Sequence, residues 1–553
     1  MRTRFHELSC LLVAFFIAFS IHPPIFGKHP SHTAVPSGSN SALAVVISPG
    51  LVFSQKSKPI DFSQTDSVSV SEQSADGVSP WPTSPPEEQG MDSTKLAAML
   101  DFLHSDSRNI HSILIARHGK LVFSVYFPPF NRDDLHNLYS CTKSVTSAAV
   151  GMAIRDAFIK DVSTPAYTYF PNLILDDEAK KGITLKHLLT MSSGLEWSEP
   201  LRSGLSDTWS LNDSDSPETY FFSRPLAASP GSVFNYNTGG SHLLSMIVAN
   251  SAGETSSNYI HSKLFQPLGI NHFEWLKDAT GHTLGGTGLA LTSEDMLRFG
   301  QLYLQKGKWD GLPLLPADWV IESTRSQIPV QAGVNYGYQW WVRPNGIYNA
   351  LGWGGQQIMV IPQKDMVVVF TAGIHDASWN TYDDLINTFI LPSARSSFSL
   401  PPNPAGNSSL QIQLHTISHP KAMPPSELPS SAREISGKTY VDLNGSHGWS
   451  TFTFYFDRSD EARLDLMYGE KSEEIKARIG LDGLFRVTDT TNYGPLALKG
   501  YWKDKTTFVL TQQFLKEAER ISMTLTFTGN DVKRFSQWTV EDYNEESEAK
   551  LLN

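Results

Sequence analysis

Three times in this 553-residue chain a serine stands three residues before a lysine: Ser140/Lys143, Ser418/Lys421 and Ser547/Lys550. On a helix, residues three apart share a face, so hydroxyl and amine would be neighbours. A serine hydroxyl becomes a useful nucleophile when a base takes its proton. Lysine can be that base where burial disfavours its charged form. Only the first pair has a suitable setting. Leu138 to Ile154 is filled with small and apolar residues. It reads as the start of a buried helix, whose first-turn N–H groups could receive an oxyanion. Pro420 interrupts the second pair in a proline-rich stretch, and the third lies in an acidic tail that reads as frayed. The plain alternative for Ser140/Lys143 is a helix cap followed by a lysine reaching for solvent.

Two further stretches would complete a site. Gly231 to Gly240 places Tyr236 in a glycine-rich turn before an apolar helix. A tyrosinate beside a lysine ammonium is a competent general base. Core packing is the plain alternative. Gly352-Trp353-Gly354-Gly355-Gln356 precedes a strong strand. Its glycines let backbone approach a ligand, and the N–H of Gln356 could be a second oxyanion donor. The plain alternative is a hairpin turn. Cys141 is rotated from Ser140 by roughly 100° around a helix, so it reads as a small buried filler rather than a second nucleophile.

Taken in order, these stretches resemble the serine β-lactamase-like superfamily. That group includes class C β-lactamases, penicillin-binding-protein relatives, D-amino-acid peptidases and β-lactamase-like carboxylesterases. The resemblance runs from about Trp81 to Ala394. It also rests on Ile183 to Leu195 and on Gly288 to Met296. It implies an acyl-enzyme mechanism. Ser140 would be the nucleophile, and Lys143 and Tyr236 would share its proton and later activate water. The N–H groups of Ser140 and Gln356 would form the oxyanion hole. Which of Lys143 and Tyr236 is the base stays open.

Two departures from the family pattern bear on substrate. The usual Tyr-x-Asn is here Tyr236-Asn237-Thr238, so the polar contact to the lysine would come from Thr238 or from a displaced Asn237. The third motif usually opens with Lys or His, and here Trp353 stands in that place. A cation there is the direct way to hold a substrate carboxylate. Trp353, with Gly354 and Gly355, would offer an aromatic wall instead, which resembles the esterase branch and favours a neutral, partly apolar acyl group. The expectation is esterase-like cleavage of a small ester or amide, without metal or cofactor. The rival is a cell-wall peptide sensor or D-amino-acid peptidase with little turnover.

Other motifs are missing. Gly240-Ser241-His242 lacks the closing glycine of a nucleophile elbow, and there is no H-E-x-x-H or Cys/His zinc spacing. Asp213 and Asp215 lie in a serine-rich loop and read as solvated. The formal charge of −12, with acids and bases mixed, argues against nucleic acid or an anionic membrane as the main partner.

The elements that must position the site follow from patterning. Residues 1–27 have the basic start and short apolar run of a secretory signal, which would place the protein outside the cytoplasm; uncleaved, it would be a marginal anchor. Residues 28–79 read as a disordered Ser/Pro-rich linker. Ser112 to Arg117 and Leu121 to Tyr126 form a hairpin. Strands return at Tyr336 to Val342, Gln357 to Ile361 and Met366 to Phe370, with helices between the two strand groups. This predicts an α/β (α+β) domain over 80–395. It would be an antiparallel sheet built from both ends of the segment, flanked by helices, with an inserted helical subdomain and a cleft at the junction. A Pro-rich connector over 396–430 would lead to an all-β sandwich or barrel over 431–553. The sequence leaves the oligomeric state open.

Overall fold

A computed structural model of the chain describes residues 65–69, 81–199, 206–331, 333–443, 448–469, 473–490 and 492–552. The signal-like segment 1–27 and most of 28–79 lie outside them. Among the described residues an eight-stranded antiparallel sheet forms the centre of the first domain. Its order starts at the hairpin Lys120–Tyr126 and Ile110–Arg117 and continues through Met366–Ala372, Gln356–Ile361 and Tyr348–Gly352. Ile110–Arg117 pairs with Met366–Ala372, which closes the two ends of the segment into one sheet.

Both faces of this sheet are buried, and strand alternation divides them. Leu114, Ile358, Val360, Val367 and Val369 face the helical side. Ile113, Ile115, Met359, Met366, Val368 and Phe370 face the helices Ser93–His104 and Pro404–Ser418. Double burial explains why these strands read as continuous apolar runs. The helix Thr142–Arg155 is buried from Thr142 through Ala153. Small residues make that possible. At Gly151 a Cβ would lie 2.5 Å from Cγ of Trp319, so the indole uses the space of the missing side chain.

Three expectations need correction. The 28–79 linker holds a strand, Thr65–Ser69, paired antiparallel with His272–Leu276. Asp66 anchors it by an ion pair to Lys277 (2.6 Å) and a hydrogen bond from Ser257. The 396–430 connector contains a fifteen-residue helix, Pro404–Ser418. Pro404 occupies the first helical turn, where a missing N–H costs nothing, and Asn403 caps it by accepting from Gly406 N–H. The acidic end is not frayed, since Tyr543–Leu551 pairs with Asp531–Trp538 and Thr439–Asp442.

The second domain is a ten-stranded sheet between Thr439 and Leu551, closed by a parallel contact of Gly480 with Lys499. It is a barrel rather than a sandwich. Trp449, Phe452, Phe454, Phe508 and Leu525 fill its interior. Among the described residues no helix is long and apolar enough to cross a membrane.

The packing at Gly151 gives a stability test whose sign is informative. Helix propensity alone makes Gly→Ala stabilising by about 1 kcal/mol. Overpacking against Trp319 should reverse this, so Gly151→Ala is expected to destabilise the protein by about 1–3 kcal/mol in a urea titration. A gain in stability would mean that Trp319 does not fill that space.

Candidate active site

Ser140 sits in a short 3-10 turn, Tyr139–Cys141, that leads directly into the helix Thr142–Arg155. Lys143 is one helical turn on. Its Nζ lies 3.1 Å from Ser140 Oγ and donates to the carbonyl of Gly286 at 2.7 Å. Ser140 is 4% and Lys143 1% exposed. Burial lowers the amine pKa to about 8, against the upward pull of the Glu199 carboxylate. The other two serine–lysine pairs lie in different settings. Ser418 ends a helix and bonds its own backbone, and Ser547 lies on a barrel strand where it accepts from Arg534.

Tyr236 completes the group. Lys143 Nζ is 5.0 Å from its ring centroid, and the nearby Ser140 hydroxyl draws the phenol pKa down a little against a larger opposing effect of burial. Desolvation pushes the phenol above its ordinary value, so it stays protonated. Opposite Ser140, Gln356 begins the strand Gln356–Ile361. Its side chain clamps the turn, donating to the carbonyls of Trp353 and Ala372 at 2.8 Å each. Cys141 links the two sides, its thiol donating to the carbonyl of Gln356 at 3.5 Å. Burial pushes that thiol up, away from thiolate. The backbone N–H groups of Ser140 and Gln356 therefore belong to two tied segments.

The second and third motifs sit differently from expectation. Asn237 Oδ1 caps the helix Thr238–Ala252 by accepting from Gly240 N–H at 2.8 Å. Thr238 donates to Glu199 through both its N–H and its hydroxyl. Neither is a partner of Lys143; the Gly286 carbonyl takes that place. Trp353 is 7% exposed and turned toward the barrel, packed against Tyr139, Ala518 and Val540. The apolar wall beside the serine is formed around Tyr236 instead, by Phe234, Trp341 and Trp379.

Sequence reasoning missed Gly286 and Glu199. Gly286 holds its place because a Cβ would lie 2.5 Å from the Thr238 methyl. Glu199 is buried and accepts four hydrogen bonds, from Trp197 Nε1, Thr208 Oγ1, Thr238 N and Thr238 Oγ1. Burial pushes this carboxyl above its ordinary value, while the Lys143 charge and the hydrogen bonds oppose that; four donors and no acceptor suit an ionised carboxylate. The sequence carried little signal for Glu199: it stands two residues after Trp197, in a loop that also holds Ser192, Ser193, Glu196 and Ser198.

This geometry can be set beside known proteins. The family model described as Beta-lactamase matches residues 98–386, just over half of the chain. The chain belongs to the beta-lactamase family. It is a serine hydrolase. A 6-aminohexanoate-dimer hydrolase from Paenarthrobacter ureafaciens is 25% identical over 311 residues, covering 51% of this chain and 78% of that protein. Among solved structures, EstCE1, a hydrolase with promiscuous acyltransferase activity, is 17% identical with a TM-score of 0.46; the match covers 55% of this chain and 99% of that one. An octameric penicillin-binding protein homologue from Pyrococcus abyssi is also 17% identical, with a TM-score of 0.44, covering 82% and 99%. Among the described residues no cluster of three His, Cys, Asp or Glu side chains could hold a metal ion.

Glu199 gives this beta-lactamase-family site an electrostatic test. Its negative charge raises the pKa of Lys143. In Glu199→Gln the amine should lose its proton more readily, so the midpoint of the activity–pH profile should fall below that of the wild type. The amide also cannot accept all four bonds, which should cost about 1–3 kcal/mol of stability in the same variant. An unmoved midpoint in a folded variant would separate Glu199 from the lysine.

Proposed function

We propose that this protein is an exported hydrolase that cleaves a small ester or amide through an acyl-Ser140 intermediate, esterase-like rather than an efficient β-lactamase. The observation that carries the reading is a buried amine, with its pKa lowered to about 8, within 3.1 Å of a buried serine hydroxyl. The neutral amine of Lys143 takes the Ser140 proton as Oγ attacks the substrate carbonyl. The Gly286 carbonyl accepts one amine N–H and so turns the nitrogen lone pair toward Ser140. The N–H groups of Ser140 and Gln356 receive the charge that develops on the carbonyl oxygen.

Tyr236 acts as a protonated relay in this scheme. It gives its phenolic proton to the leaving alkoxide or amine and is refilled from the Lys143 ammonium. Water then enters, loses its proton by the same route in reverse, and releases the acid and free Ser140. Burial supports Lys143 over Tyr236 as the base, because the same desolvation that neutralises an amine keeps a phenol protonated.

The acyl group is read from the wall around Tyr236. Phe234, Trp341 and Trp379 suit an apolar, uncharged chain; the Arg343 guanidinium stacked on Trp379 is already paired with Asp383, and Trp353 stands where the family usually keeps a cation. The relative named for a 6-aminohexanoate dimer supports small linear substrates over strained bicyclic ones. Export is the part of the proposal that rests on residues 1–27 alone, and N-terminal sequencing of secreted protein would check it.

Turnover of p-nitrophenyl butyrate beside a chromogenic cephalosporin tests the chemistry. Sustained ester hydrolysis is expected, with little cephalosporin cleavage, and Ser140→Ala should lower kcat by about 10³-fold or more. The rate should rise with pH through about 8 and then level, since the neutral amine is the working form. A tyrosinate base would place that rise above pH 10. Reaction that stops after one equivalent would instead identify a peptide sensor, and rapid cephalosporin turnover would defeat the esterase-like reading.

A further inference from the structure

The barrel reaches the residue before Ser140. The loop Leu515–Glu519, between the strands Thr507–Phe514 and Arg520–Thr528, enters the first domain beside Ser140. Tyr139, the residue before Ser140, donates its hydroxyl to the Glu517 carboxylate and accepts from Ala518 N–H at 3.2 Å. Two residues earlier still, Asn137 N–H donates to the carbonyl of Lys516 at 2.8 Å. Asn137 Oδ1 in turn accepts from Tyr139 N–H at 3.0 Å. Every residue from Asn137 to Tyr139 except Leu138 is thus held from the barrel side.

The same loop touches the second oxyanion segment. A Cβ on Gly354 would lie 2.6 Å from the Ala518 methyl, and a Cβ on Gly373 would lie 2.0 Å from the Ala518 carbonyl. Ala518 is fully buried, in one cluster with Tyr139 and Trp353. The loop arrives preformed. Gln513 Nε2 donates to the carbonyls of Phe514, Glu517 and Glu519 at 2.8, 2.9 and 3.0 Å. The Glu519 carboxylate accepts from Val540 N–H and Glu541 N–H, and Lys516 pairs with Glu274 of the first domain at 2.5 Å.

Tyr139 needs this support. Its φ is +45°, in the left-handed region that a bulky side chain rarely adopts, and such a conformation persists only where surrounding contacts impose it. An aromatic residue held there directs the next peptide, whose N–H and side chain belong to Ser140.

We propose that Glu517 of the barrel is a positioning residue of the hydrolase site. By holding the Tyr139 hydroxyl it fixes the left-handed turn that aims the Ser140 hydroxyl and N–H, so the barrel is a working part of the active site. This rests on Ser140 being the nucleophile. It predicts that breaking the contact slows acylation more than it weakens substrate binding, since misplacement of reacting groups by a fraction of an ångström acts on the chemical step.

The test uses the full chain and p-nitrophenyl butyrate, with burst kinetics and intact mass of acyl-Ser140. Tyr139→Phe and Glu517→Ala should each lower kcat and the acylation rate by about 10–100-fold with KM changed less than about threefold. Glu517→Gln, whose amide oxygen still accepts from the tyrosine, should recover most of the loss. Tyr139→Phe removes one oxygen from a folded protein, so it decides the matter if Glu517→Ala fails to fold. Wild-type acylation in Tyr139→Phe would overturn the proposal, as would a change confined to KM or to thermal stability. Ser140→Ala separates the two levels: if it stays active the nucleophile assignment falls, whereas an inactive Ser140→Ala beside a wild-type Tyr139→Phe removes Glu517 alone.

Discussion

A lysine amine that is 1% exposed governs the architecture around it. An isolated buried ammonium is costly, and the cost appears as a lowered pKa unless partners offset it. Here the partners are few and placed by distant parts of the chain. The Gly286 carbonyl accepts from the amine, and the Glu199 carboxylate supplies opposite charge at longer range. The balance leaves the amine near pH 8, where both forms are populated close to neutrality. A closer carboxylate would lock the ammonium, and none would lower the pKa further. Much of the helical subdomain can be read as the frame that keeps this balance. Thr146 Oγ1 holds the Gly285 carbonyl, and His242, bonded to buried Asp278, receives Gly285 N–H.

The same logic extends to the backbone. Ser140 stands on a turn whose preceding residue is strained, and Gln356 follows two glycines with positive φ. Tyr139 bears the cost of about 1–3 kcal/mol for a non-glycine residue in that region, whereas Gly354 and Gly355 adopt it freely. The sheet fixes Gln356 through its own side chain and neighbouring strands. The Tyr139 turn is bonded within its own domain through Leu138 N–H and Asn137 Oδ1, and the barrel loop adds Glu517 and Ala518 N–H at the Tyr139 hydroxyl. A strained element braced by a separate domain links domain docking to the geometry of the reacting groups.

The pattern of what could be read from sequence follows from contact range. Ser140 and Lys143 were legible because helical spacing makes them neighbours and their small, apolar surroundings set this pair apart from the other two. The central strands were legible because buried sheets leave long β-branched runs. Tyr236 and Gln356 were legible through turn chemistry and a resemblance to a family. Gly286, Glu199 and Glu517 were not, because each meets the site across a long stretch of chain; 143 residues separate Gly286 from Lys143, and 378 separate Glu517 from Tyr139. No periodicity marks such pairs. The helix Pro404–Ser418 was hidden for a different reason. A cluster of prolines reads as a connector, yet a proline in the first helical turn is compatible with the helix it precedes.

Trp353 shows how a residue can be identified correctly and its surroundings misjudged. Its place in the third motif was plain, and the lack of a cation there follows directly. Which way the indole faces depends on a domain that begins some eighty residues later. Ala518 and Val540 cover it, so the position where a carboxylate-binding cation would stand is filled by packed protein rather than opened as a wall. On the other side of Ser140, Phe234 and Trp379 are only partly buried beside Tyr236. The proposed preference for an uncharged acyl chain therefore rests on both sides of Ser140: packed protein stands at Trp353, and burying an unpaired carboxylate against the aromatic carbon around Tyr236 would be costly.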